Sequence, residues 1–151
     1  MNKNLVTLAA LAGTFALGAC ATLEEEAVDA TSDTYRAHLM GSNEVPSGAG
    51  DRDGMADAEI SVSDATDQVC WEVKNVTNIG PVTAAHIHFG RAGTNGPPVF
   101  TLTQSNEGRW QGCKNRSEWT ENRLQNNPAD FYVNLHTADY PNGAIRGQLS
   151  E

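Results

Sequence analysis

From Tyr35 to the carboxyl terminus the chain is written in short runs of alternating apolar and polar residues, each stopped by glycine, proline, asparagine or aspartate. Period-two alternation suits a pleated strand with one face in a core, and repeated stops forbid long helices. The runs are Tyr35–Met40, Met55–Ser63, Gln68–Val76, Val82–Phe89, Val99–Thr103, Trp110–Cys113, Phe131–Thr137 and Ala144–Leu149. The last two flank Asp139-Tyr-Pro-Asn-Gly143, whose Asn-Gly pair supplies the turn chemistry of a hairpin. Many short strands at this spacing predict an all-β domain, a sandwich or barrel with Greek-key connections. Ser117–Gln125 is the one segment with helical texture, capped by Ser117 and stopped before Pro128.

The amino terminus has a different character. A head charged only at Lys3 precedes the apolar stretch Leu5–Leu17, and Leu17-Gly-Ala-Cys20 closes it. This order describes a secretory signal peptide, too short for the roughly 18–20 residues of a membrane span. Leu17-Gly-Ala-Cys20 resembles the lipobox of bacterial lipoproteins, which implies cleavage after residue 19 and a lipid anchor on Cys20. Ala21 in place of an aspartate favours the outer membrane. Residues 20–34 are rich in acids and poor in bulky side chains, and read as a flexible tether. The domain then occupies residues 35–151. The expected location is the bacterial envelope, lipid-anchored on the periplasmic side or at the surface of the outer membrane.

Charge excludes one class of partner. The full chain has 10 basic and 19 acidic residues, and losing the signal removes one of the basic ones. Nucleic acid needs a basic face, so it is an unsuitable partner, and the membrane link must be the acyl chains. Oligomeric state is not legible.

Three cysteines make an odd count until Cys20 is assigned to lipid. Cys70 and Cys113 remain as a pair in an oxidising compartment, so a disulfide is expected. It would close a loop of about 44 residues and contribute roughly 4 kcal/mol by chain entropy. Metal binding by these thiols is the weaker alternative, because no C-x-x-C spacing supports it.

All four histidines, His38, His86, His88 and His136, fall in expected strands. Strand alternation puts His86 and His88 on one face with Ile87 opposite, so their rings can converge on one ion. His136 joins them if its strand is the neighbour of Val82–Phe89. His38 is a candidate fourth ligand, with Met40 beside it on the same face. Three or four imidazoles with a thioether suit copper, and less specifically zinc. The plain alternative is a set of polar residues on a solvated face. A hairpin centred near Pro141-Asn142 makes Arg146 the cross-strand neighbour of His136, where it would draw in a small anion; a structural salt bridge is the alternative. Glu44 is either an outer partner of an imidazole or a loop cap. Asp51-Arg-Asp-Gly54 hints at calcium without the rest of an EF-hand loop. Trp71, Trp110 and Trp119 read as core or rim.

Three separated motifs, in order, carry a family resemblance. They are Leu39-Met-Gly-Ser-Asn-Glu-Val-Pro46; Ala85-His-Ile-His-Phe-Gly90 with Gly96-Pro-Pro-Val-Phe100; and Phe131-Tyr-Val-Asn-Leu-His-Thr-Ala138 with Pro141-Asn-Gly-Ala-Ile-Arg-Gly-Gln-Leu149. Together they resemble the CHRD domain first described in chordin, from about Tyr35 to Leu149. The family pattern includes His86, His88 and His136 but not His38. Ser47 replaces a usual proline, and Ala144 a common glutamate. The resemblance implies fold more firmly than activity, and bacterial members look like secreted or lipid-anchored modules. The histidine constellation is also similar to the copper site of copper-zinc and copper-only superoxide dismutases, as an analogy of site. Three classes of function follow: a copper enzyme dismuting superoxide, a non-catalytic copper storage or delivery protein, and a metal-free interaction module.

Overall fold

A computed structural model describes residues 32–115 and 123–151. Cys20 and most of the tether, Trp119, and the first part of the expected helix lie outside the described residues. Of that helix, residues 123–126 form one turn. Eight strands follow in chain order: β1 (Asp33–Met40), β2 (Met55–Ser63), β3 (Gln68–Thr77), β4 (Val82–Phe89), β5 (Pro98–Leu102), β6 (Gln111–Asn115), β7 (Phe131–Thr137) and β8 (Ile145–Gln148).

They make one antiparallel sheet in the order β5-β4-β7-β8-β1-β2-β3-β6. The sheet curls into a nearly closed barrel. Side chains span the seam between its two edges: Lys114 Nζ of β6 donates to the Thr101 carbonyl of β5 (3.2 Å), and Trp71 Nε1 donates to the Thr103 carbonyl (3.1 Å). Trp71 also meets Phe100 edge-on, 5.7 Å between ring centres. Bridging the two edges with side chains helps to cover a row of unpaired backbone groups that would otherwise template aggregation. β3 pairs with β6 rather than with β4, and the chain passes over the seam to reach β4, which is the Greek-key element of the fold.

Alternation decides what faces inward. Tyr35, Ala37 and Leu39 of β1, Ile60 of β2, Ile87 of β4, Val133 and Leu135 of β7 and Ile145 of β8 belong to one buried cluster. Their alternate neighbours therefore face outward: His38 and Met40, His86 and His88, Tyr132, Asn134 and His136, and Arg146. β7 departs from the expected half-solvated pattern, because all seven of its residues are buried. Its outward face lies under two segments: residues 41–54, tied down by Asp51 N–H to the Ala144 carbonyl (2.8 Å), and residues 90–97, tied by Phe89 N–H to the Pro97 carbonyl (3.0 Å).

Cys70 and Cys113 are direct cross-strand partners in β3 and β6 and are joined by a disulfide. They lie 43 residues apart, so the bond restricts the unfolded chain. Replacing both with serine is expected to lower the unfolding free energy by about 2–4 kcal/mol. A urea midpoint unchanged by the substitution would show that the β3–β6 ladder holds this edge unaided.

Candidate metal centre

β4 and β7 are neighbours, in a register that sets His86 against Asn134, His88 against Tyr132 and Ala84 against His136. All three histidines therefore share the outward face, with His86 one same-face step along the ladder from both His88 and His136. His86 Nδ1 stands 3.1 Å from His136 Nε2. Ring centres are 5.0 Å apart for His86 and His136, 5.7 Å for His86 and His88, and 6.0 Å for His88 and His136. One nitrogen from each ring lies within 4.8 Å of the others, the single such grouping of histidine, cysteine and carboxylate ligands among the described residues.

Backbone carbonyls orient two of the rings. His88 Nδ1–H donates to the Gly96 carbonyl (2.9 Å), and His136 Nδ1–H donates to the Pro141 carbonyl (3.1 Å). A neutral imidazole that spends its proton on one nitrogen presents a lone pair on the other, here Nε2 in both cases. Such outer hydrogen bonds are how metal-binding histidines are fixed in tautomer and orientation. His88 Nε2 is buried and has no hydrogen-bond partner. A buried polar atom left without a partner costs about 1–3 kcal/mol, and a metal ion satisfies it. Burial lowers the pKa of all three imidazoles; the neighbouring imidazoles lower those of His86 and His88 further, and Arg146 that of His88. All three are therefore neutral at neutral pH, the state in which histidine ligates. The donor set of three imidazoles fits copper or zinc.

Gly96 explains how a loop carbonyl comes within reach of His88. A Cβ at this position would run into the Phe89 carbonyl, so only glycine lets residues 90–97 pass so close to β4. Tyr132 completes the arrangement. Its ring stacks on His88 at 4.8 Å and 14°, and its hydroxyl accepts from Gly96 N–H (3.2 Å). In the sequence the one signal for Tyr132 is its place two residues before Asn134 on the outward face of β7.

Arg146 shares the face, but in a different register from the one expected. It pairs with Asn134, and Leu135 pairs with Ile145, so the cross-strand partner of Arg146 lies two residues from the expected one. An even shift preserves the face while removing the direct pairing with His136. The cause lies in the turn, where Ala144 N–H bonds the Leu135 carbonyl (2.8 Å) and Gly143 N–H bonds the Tyr140 carbonyl (3.1 Å). Arg146 is 2% exposed, its guanidinium 3.5 Å from the centre of the Tyr132 ring. It donates to Asn95 Oδ1 (3.2 Å) and to the Thr94 carbonyl (3.1 Å). Among the described residues Arg146 makes no salt bridge with Asp139 or Asp130, the two acids near enough in sequence for the structural alternative; Asp130 pairs with Arg91 at 2.7 Å.

His38 stands apart from the trio. In the sheet order β8 separates β1 from β7, and exposed His38 pairs through Nδ1 with Asp57 Oδ1 at 2.8 Å. Met40 is the cross-strand neighbour of Arg146. Asp51 and Asp53 lie in the turn before β2 and join no ligand group among the described residues.

Glu44 reaches no histidine. Its carboxyl is buried between Arg146, the Asn134 amide and Gly143, whose φ of 141° and missing Cβ leave the space it fills. Burial raises its pKa to about 7, against the opposing pull of Arg146 and of hydrogen bonds from Asn134 and Val45. A cleft of about 500 Å³ opens beside it, lined by Asn43, Val45, Arg146 and Gln148 among others. The folded state keeps the Glu44 proton at pH values where the unfolded chain releases it. Its contribution to stability is thus full below about 4.5 and is lost as pH rises through about 7. Glu44→Gln is expected to gain on the wild type across that window by on the order of 2 kcal/mol after solvent screening. Denaturant titrations at pH 5 and pH 8 would measure this, and an equal difference at both would contradict it.

The CHRD-domain family model matches residues 35–149. The chain belongs to the CHRD-domain family. The matched span runs from β1 to the residue after β8, so the CHRD domain is the whole barrel with its histidine trio. No curated protein and no solved structure matches the chain.

Proposed function

We propose that this CHRD domain holds one copper ion on His86, His88 and His136, as a lipid-anchored protein of the bacterial envelope, and that the loaded site dismutes superoxide. One observation carries the metal reading: the buried, partnerless Nε2 of His88, on a ring held by a backbone carbonyl, beside two more neutral imidazoles. Copper is favoured over zinc because copper stands above zinc in affinity for nitrogen sites. The disulfide agrees with an oxidising compartment, in support of export and of lipid on Cys20.

Copper in such a site supplies one-electron exchange with superoxide. Three protein ligands leave a coordination position for a small molecule. His86 is the most exposed of the three rings, so access is from its side. Tyr132 and residues 94–96 close off the His88 side and exclude water there. Arg146 contributes fixed positive potential behind Tyr132, which favours an anionic substrate; its burial rules out a swinging role.

The test is superoxide consumption by the copper-loaded chain beside a His86→Ala/His88→Ala variant. Activity in the wild type alone supports the enzyme. Copper binding without activity replaces it with storage or delivery, and no copper binding leaves an interaction module.

A further inference from the structure

The outward face of β1 and β2 carries a second group of metal-binding side chains, separate from the trio. The register sets His38 directly against Asp57 and Met40 directly against Met55. Leu39 and Ala56, which lie between these pairs, belong to the core, so all four side chains share the outer face. Directly opposed residues on a sheet have Cβ atoms about 4.5–5.5 Å apart, and diagonal ones about 7–8 Å, within reach of long side chains. Met40 and Met55 are the only methionines beyond Met1. Met55 is 42% exposed, one of two large apolar side chains so placed among the described residues, and packing gives no reason for it.

His38 is prepared as a ligand is. Asp57 Oδ1 takes its Nδ1–H, and Asp57 Oδ2 accepts from Asn75 Nδ2 at 2.7 Å. Asn75 sits at the bulge of β3 with φ of 55°, which lets it turn toward Asp57. This carboxylate–histidine pair fixes the ring and leaves the Nε2 lone pair free to bind. Two thioethers and one imidazole make a soft donor set that selects monovalent copper over zinc or calcium.

We propose that His38, Met40 and Met55 form a second metal site, for a soft monovalent cation of the Cu(I) class, with Asp57 orienting His38. The site is separate from the trio: two strand spacings, on the order of 10 Å, separate β1 from β7, and three, on the order of 14 Å, separate it from β4.

The test uses the full chain carrying His86→Ala and His88→Ala, so that the trio cannot answer, and Cys20→Ser, so that no thiol competes. Methionine methyl groups are labelled with ¹³C and followed by NMR during titration with Ag(I), a redox-inert probe of Cu(I) sites. The Met40 and Met55 signals are expected to shift together and saturate at one equivalent, with Met1 unmoved. Asp57→Asn is expected to weaken binding by about 10–100-fold while the same two methyl groups still respond. Unmoved signals at one equivalent, or Met1 shifting in step with the others, would overturn the site.

Discussion

Replacing His88 with leucine is expected to lower copper affinity by more than about 100-fold, beyond the roughly 10–100-fold that losing an outer partner costs. The same change should alter the stability of the metal-free protein by less than about 1.5 kcal/mol, as volume-conserving core exchanges do. The two effects separate for a structural reason. His88 Nε2 has no partner in the fold, so removing it sacrifices no hydrogen bond. Its Nδ1 bond to Gly96 is lost, but the Gly96 carbonyl also accepts from the Tyr132 hydroxyl at 3.4 Å. A histidine kept for packing would show the reverse: large destabilisation and no change in metal uptake. Copper affinity by competition with a chelator, and urea unfolding without metal, measure both.

Arg146→Ala has the second large effect, expected at about 3–5 kcal/mol of stability, the range for breaking a buried charged network. The loss removes two hydrogen bonds to residues 94 and 95, uncovers the Tyr132 ring and takes the positive neighbour from Glu44. It also reaches the metal centre. Residues 94–96 present the Gly96 carbonyl to His88, so releasing Thr94 and Asn95 loosens the bond that orients the ring. Copper affinity in Arg146→Ala should therefore fall about 10–100-fold. Arg146→Lys should recover little of it, since one ammonium cannot serve both acceptors and stack on Tyr132. Thermal unfolding and chelator competition on both variants check this. Full copper affinity in Arg146→Ala would show that the loop is held independently.

The legible part of this site is the part governed by period two. His86 and His88 share a face because Ile87 between them must enter the core, and that requires only the alternation. The strand limits of β2, β4 and β7 were readable for similarly local reasons, and the Cys70–Cys113 bond from the cysteine count alone. What failed to read out depends on sheet order and on turn length. His38 has the right residue type and the right face, but the placing of β8 between β1 and β7 carries it away from the trio. Arg146 kept its face and lost its expected neighbour because the alignment is displaced by two residues at Tyr140–Gly143. The cover over β7 was invisible too. Tyr132, Asn134 and His136 look like solvent-facing positions in the sequence. Only the long-range returns of residues 41–54 and 90–97 cover this face, and the second brings the Gly96 carbonyl that prepares His88, whereas the Pro141 carbonyl that holds His136 comes from the turn after β7.

The central claim is that three strand histidines bind one copper ion. The most direct measurement is equilibrium dialysis of the chain against Cu(II), with metal analysis and electron paramagnetic resonance, beside a His86→Ala/His88→Ala/His136→Ala variant. One copper per wild-type chain is expected, with nitrogen hyperfine structure from imidazole ligands, and none of this signal in the variant. Equal copper retention by both proteins, or none by the wild type, would contradict it.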